Sequence, residues 1–189
     1  MTNQLDDVLV AQARVDTPLG AMTAAATTRG LAGLWFDGQR HHPGVLAAPA
    51  DDDNRFIVQA RQELAAWFAD GAARRCGFTV PLDAQGTAFQ RGVWARLSML
   101  ACGERARYGE IARALGRPEA ARAVGAAIGR NPISVIVPCH RVLGHDGALT
   151  GYAGGLDRKQ ALLALEAGAA PARSAVSTAD EMTEALASA

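Results

Sequence analysis

The chain has 189 residues, 49% of them hydrophobic and 20% charged, which suits a globular protein of one domain or two small ones. No apolar run approaches the length of a membrane span, and the polar start over residues 1–7 lacks a secretory pattern, so the expected compartment is the cytoplasm. A formal net charge of zero argues against a nucleic-acid partner only until it is divided along the chain. Residues 1–84 carry 7 Arg against 10 acids, residues 85–170 carry 10 Arg and Lys159 against 6, and residues 171–189 carry Arg173 against 3. The middle segment, with its net +5, is where a phosphate backbone would be met, although charge alone describes a solvated face equally well.

The expected elements begin with strands. Residues 8–13 lead into Thr17-Pro18-Leu19-Gly20, a turn, and residues 21–28 and 31–36 flank a second reversal at Arg29-Gly30. His41-His42 beside Pro43-Gly44 read as a surface loop in preference to metal ligands, and no metal is expected. Phe56, Ala60, Leu64 and Trp67 recur at helical spacing, and residues 78–82 suit a further short strand. Cys76 and Cys102 read as buried or incidental thiols. With Cys139 they are an odd number, at spacings of 26 and 37, that fit neither a disulfide framework nor a zinc pair. One functional thiol in a reducing compartment is the economical reading.

Residues 83–86 suit a linker, beyond which the pattern turns helical. Thr87 with Gln90 makes a capping box, followed by an apolar face of Phe89, Val93, Trp94 and Leu97. A helix over residues 108–115 is stopped by Gly116, and Pro118 suits the first turn of another that ends before Asn131-Pro132, in the proportions of a helix-turn-helix. A β-rich run over 133–137 leads into Pro138-Cys139-His140-Arg141. Asp157 with Gln160 resembles a second capping box, opening a helix that carries Glu166 and closes at Gly168. Residues 171–189, rich in Ala, Ser and Thr, read as a disordered tail.

Chemistry becomes conceivable at Cys139 and His140. A thiol is a weak nucleophile until a base or a positive charge makes it a thiolate, and the base needs a third group to set its tautomer. Glu166 is a candidate for that group, although a solvated helix-end glutamate is the blander reading. The helix after Pro118 presents Ala120, Ala121, Ala123, Gly125, Ala126, Ala127 and Gly129, with Arg122 nearly alone among them. Reading base edges in a major groove takes Arg, Lys, Asn or Gln side chains. A small-residue face with one long cation suits close, sequence-independent approach to a minor groove, with the cation entering the base stack. An Ala/Gly face packed on a neighbouring helix would look the same.

The run Ile136-Val-Pro-Cys-His-Arg-Val142 resembles the active-site signature of the O6-alkylguanine-DNA alkyltransferases. The resemblance extends through Phe89-Gln-Arg-Gly-Val-Trp94, Tyr108-Gly-Glu-Ile-Ala112, Ala120-Ala-Arg-Ala-Val-Gly125, Asn131-Pro132 and Gly151-Tyr-Ala-Gly-Gly155, and ends at Glu166. It covers residues 87–168, and the N-terminal region shares only size and layout with the family. It implies an α+β protein: a small N-terminal α+β domain (residues 1–84, antiparallel strands plus a helix), then a mainly helical, winged-helix-like domain with a helix-turn-helix (85–170), before the tail.

The resemblance also implies roles. Cys139 would accept the alkyl group, with His140 as its base acting through a water and Glu166 orienting the imidazole. Asn131 would brace the active-site turn, and Tyr108 would donate its hydroxyl to the guanine ring. Arg122 would fill the gap left by the flipped nucleotide, with Ala121, Ala123 and Gly125 against the DNA. The carbonyls of Cys139 and Val142 would accept from the exocyclic amine, and Tyr152, Ala153 and Gly154 would close the pocket. The family often has Ser where Ala153 stands, but the backbone N–H toward O6 is kept. The expected activity is a single, irreversible repair event with no cofactor, by a monomer on double-stranded DNA containing O6-alkylguanine, and O4-alkylthymine is a further candidate substrate. A sensor that binds alkylated bases without transfer is the alternative, against which the acceptor thiol itself speaks.

Overall fold

The computed structural model describes residues 5, 7–69 and 77–168; Cys76 and the expected tail lie outside them. Three antiparallel strands, β1 (Ala11–Val15), β2 (Met22–Ala26) and β3 (Leu31–Phe36), form a sheet in the order β1-β2-β3. Alternation sends Ala11, Ala13, Val15, Met22, Ala24, Leu34 and Phe36 into the main core. Helix α1 (Arg55–Ala69) buries Phe56, Ile57, Ala60, Leu64, Trp67 and Phe68 in that same core. Ala25, Ala32 and Trp35 point the other way and meet Leu9, Leu46 and Ala48 in a smaller cluster. β3 is therefore buried on both faces, which accounts for its unbroken apolar sequence.

The outer edge of β3 determines where the rest of the chain sits. Leu31 N–H donates to Pro81 O and Asp83 N–H returns to Leu31 O, both at 2.8 Å. Leu34 N–H donates to Pro132 O and Ser134 N–H to Leu34 O, again at 2.8 Å. Two short segments thus cover an edge that would otherwise expose unpaired backbone groups. The strand expected over 78–82 is reduced to a single bridge between Leu31 and Leu82. The β-rich run over 133–137 likewise pairs only at Ile133, because the backbone curls there and Val135 takes φ +72°. Asp83, in the expected linker, binds the Arg29 guanidinium at 2.8 Å and the Thr27 hydroxyl at 2.7 Å.

Helix α2 (Ala88–Ser98) starts on the expected capping box, with Gln90 N–H on Thr87 Oγ1 and Thr87 N–H on Gln90 Oε1. Its Trp94 Nε1–H reaches Ala127 O at 2.9 Å and so ties α2 to a later helix. Strand β4 (Ala106–Arg107) runs into α3 (Tyr108–Ala114). Gly116, at φ +69°, makes a reversal that an L side chain would strain. A 3-10 turn over Pro118–Ala120 then leads into α4 (Ala121–Gly129), where Val124, Ala127 and Ile128 face the core. Strand β5 (Val142–Leu143) pairs in parallel with β4, and α5 (Leu156–Glu166) closes the described chain.

Two expectations need correction. Asp157 and Gln160 form no capping box: α5 begins after Gly155 at φ +92°, so Asp157 already lies in the first turn, where its charge suits the helix dipole. Cys102 is disulfide-bonded, and Cys139 is the free cysteine among the described residues. Separation along a sequence says little about separation in a fold, so the cysteine count gives no support to a reducing compartment. Thr87→Ala, which removes one half of the α2 box, should lower stability by about 1 kcal/mol, read as an earlier urea midpoint at unchanged slope.

Candidate active site

The residues after α4 form a tight turn around one carboxamide. Asn131 Nδ2 donates to Val137 O at 2.9 Å and Ile133 O at 3.3 Å, and lies 3.1 Å from Cys139 Sγ. Its Oδ1 accepts from Ile133 N–H at 3.0 Å. Asn131 is buried, so each of these polar groups would be costly to leave unpaired, and together they hold Val135 in its unfavourable φ. The turn delivers Cys139 into a 3-10 turn, Cys139–Arg141, with its sulfur almost closed to solvent. Burial pushes the thiol up to about 11, against the pull of Asn131, Lys159 and nearby backbone N–H groups. At neutral pH it is a thiol, and it needs a base to react.

The next residue in the chain carries an imidazole. His140 is fully buried, and its Nε2 lies 2.8 Å from Glu166 Oε1. Burial lowers its proton affinity, Glu166 opposes this, and the Arg141 and Arg105 charges add to the lowering. The ring is therefore neutral near pH 7, with Nε2–H donating to the carboxylate. Nδ1 is left buried and without a hydrogen-bond partner among the described residues. Burial alone would raise Glu166, but hydrogen bonds from His140 and Arg141 hold it near 2. Arg141 binds Glu166 Oε1 through Nε and Nη2 and sends Nη1 to Leu100 O, while Arg105 takes Oε2 at 3.1 Å.

Glu166 thus gathers more than the histidine expected of it. Neither arginine was singled out in the sequence, although Arg141 stands beside His140 in the signature run. Lys159 was missed too, despite being the only lysine in the chain. Its side chain is fully buried and Nζ donates to Val142 O and Thr150 O, both at 2.6 Å. It ties the chain on either side of residues 143–149 to α5, and it already occupies the Val142 carbonyl. Burial lowers Lys159 to about 8, with the Cys139 charge acting the other way.

An open cleft of about 350 Å³ is lined by Tyr108, Gly125, Gly151, Tyr152, Ala153 and, from the loop after β3, Arg40. A Cβ on Gly125 would sit 3.6 Å from the Tyr108 ring, and Tyr108 Oη donates to Thr150 O at 3.4 Å. Cys139, His140, Asn131, Glu166, Val142 and Gly154 do not line this cleft. Tyr152 connects the two regions, because it lines the cleft and its ring lies 6.5 Å from that of His140, edge-on. On α4, Arg122 and Ala123 are exposed and Ala121 and Gly125 partly so, which leaves the small-residue face open.

A family profile described as the DNA-binding domain of 6-O-methylguanine DNA methyltransferase matches residues 88–168. A methylated-DNA–protein-cysteine methyltransferase of Mycolicibacterium paratuberculosis is 46% identical over 158 residues, covering 84% of this chain and 93% of the relative. The chain belongs to this family. The Mycobacterium tuberculosis relative of the same name is 45% identical over an equal span. A crystal structure of M. tuberculosis OGT in complex with DNA superposes with a TM-score of 0.74 at 43% identity, covering 87% of this chain and 97% of that one. Likeness over nearly the whole of these relatives extends the family fold to the N-terminal sheet, beyond the span where sequence motifs were recognised.

Acid should weaken the fold in two windows. His140 is held below 6.5 and Glu166 near 2 against 4.5, so the folded protein binds fewer protons than the unfolded chain. The stability both groups contribute is present above their unfolded values. It is lost first as pH falls below 6.5, then from 4.5 toward 2. Glu166→Gln should shrink the second window, to which Glu63 also contributes, and leave the Arg141 charge uncompensated, at a cost of about 3–5 kcal/mol near neutral pH. Denaturant midpoints measured across pH check both effects.

Proposed function

We infer that the protein repairs DNA by taking the alkyl group from O6 of guanine onto the sulfur of Cys139. The observation that carries this reading is the buried His140–Glu166 pair, whose unpartnered Nδ1 is next in the chain to the free, buried thiol. His140 removes the thiol proton through a bridging water, and Glu166 supports the imidazolium that results. The thiolate attacks the alkyl carbon, the carbon–sulfur bond forms as the carbon–oxygen bond breaks, and guanine leaves with the electron pair. Tyr108, released from Thr150 O, donates its hydroxyl to the ring as charge develops there, and Ala153 N–H serves O6. The product is a thioether with no carbonyl for water to attack. One protein molecule is consumed per lesion, with no cofactor.

Inside a stacked duplex O6 is out of reach of in-line attack, so the base is rotated out at a cost of about a few kcal/mol, least for a poorly paired lesion. The cleft beside Tyr108 receives it, and Tyr152 yields to bring O6 to the sulfur. The small-residue face of α4, with Ala121, Ala123 and Gly125, approaches the minor groove of double-stranded DNA without reading its sequence, and Arg122 fills the gap left in the stack. On this reading residues 85–170 form the transfer and DNA-binding domain, with α3 and α4 as its helix-turn-helix, and residues 1–84 support it. The protein acts as a monomer in the cytoplasm; no helix among the described residues is long and apolar enough to cross a membrane.

Mass spectrometry after incubation with an O6-methylguanine duplex should show a gain of one methyl group on Cys139, absent from Cys139→Ser; unchanged mass in the native protein would favour a lesion sensor. Arg122→Ala should slow repair in duplex DNA at least tenfold more than reaction with free O6-benzylguanine, since only the duplex has a gap to fill. Equal losses with both substrates would remove the finger from the mechanism.

A further inference from the structure

Arg158, in the first turn of α5, is half-buried and faces carbonyls and a ring. Its Nε donates to Leu19 O at 2.9 Å, in the turn between β1 and β2, and its Nη1 donates to Gly154 O at 3.0 Å. The guanidinium lies 4.6 Å over the Phe36 ring of β3. Gly20, at φ +113°, makes room for it, since a Cβ there would lie 3.1 Å from Nη2. The N-terminal sheet therefore holds this cation against the loop that lines the cleft. Within that loop Gly155 N–H donates to Tyr152 O at 3.1 Å, closing a turn. Gly154 O and Gly155 N–H are two ends of one planar peptide unit, and Tyr152 O and Ala153 N–H are two ends of another. Ala153 N–H has no hydrogen-bond partner among the described residues, and Ala153 lines the cleft.

We propose that Arg158 is a positioning residue for alkyl transfer: its cation heads a chain of two peptide units, Gly154–Gly155 and Tyr152–Ala153, that aims and strengthens the Ala153 N–H assigned to O6. A charged donor on Gly154 O draws electron density out of that peptide unit, and Gly155 N–H becomes the stronger donor for it. Tyr152 O hands the same effect to Ala153 N–H, because linked hydrogen bonds polarise one another. Each bond also fixes the plane of the peptide it meets, so the last N–H is oriented before a substrate arrives. No proton moves along the chain. The carbon–sulfur bond forms at Cys139 as the carbon–oxygen bond breaks, and the electron pair stays with guanine, where the strengthened donor meets the charge growing on O6.

The inference rests on the transfer reading, so native protein that gains no methyl group from an O6-methylguanine duplex would overturn that reading itself. Given native transfer, single-turnover rates at saturating duplex compare O6-methylguanine with S6-methyl-6-thioguanine, whose departing sulfur is a weak hydrogen-bond acceptor and has little use for the donor. Arg158→Met should slow transfer from oxygen about fivefold and transfer from sulfur less than about twofold. Arg158→Gln, which keeps a donor without the charge, should show the same ordering. An unchanged rate from oxygen in these variants would overturn the proposal. Equal losses from oxygen and sulfur would overturn it too, because a wall that is merely loosened does not distinguish the leaving atom.

Discussion

One buried carboxylate organises the reactive end of this molecule. Glu166, at the last turn of α5, receives His140 and Arg141 on one oxygen and Arg105 on the other. These donors come from the turn that carries the thiol and from the approach to β4, so the charge of one side chain draws three parts of the chain together. It also determines the chemistry. By taking Nε2–H it leaves Nδ1 as the basic nitrogen, and by remaining ionised it prepares the site for an imidazolium. A buried ion cluster of this kind is a poor source of net stability but a strict geometric requirement, because removing the carboxylate leaves the buried Arg141 charge without a partner.

The neighbouring constraint is the carboxamide of Asn131, which holds a backbone that would not otherwise be stable. A β-branched residue at positive φ is strained, and Val135 is held there as Asn131 bonds the chain on both sides of it and Val137 N–H closes on Ile133 O. The resulting turn places Cys139 where burial keeps it protonated. A resting thiol near 11 is protected from adventitious electrophiles and oxidants. For a protein consumed by a single reaction, this restraint matters as much as reactivity.

The sheet at the N-terminus takes part in this arrangement. β3 exchanges backbone hydrogen bonds with Pro132 and Ser134, and the loop after it reaches Ser134 and Ala153 through Gln39 and Arg40. The main core runs without a break from β1 to α5. A side chain of that loop therefore meets the turn leading to the thiol across about a hundred residues of sequence.

Local patterns determined a good deal by themselves. β3, α1, the Thr87–Gln90 box, the stop at Gly116 and the run that carries Cys139 and His140 each follow from residues within a few positions of one another, because propensity, periodicity and capping act over one or two turns. Where the outcome depended on distant partners, local reading failed. The apolar run 133–137 has strand composition but curls around Asn131, and Asp157 has a capping sequence but lies inside a helix begun at Gly155. The disulfide at Cys102, the arginines on Glu166, the placement of Lys159 and the reach of Gln39 were decided only in three dimensions. A charge or hydroxyl carries no mark in sequence of which partner it will meet; that is settled when burial removes water and leaves each polar group only the neighbours the fold provides.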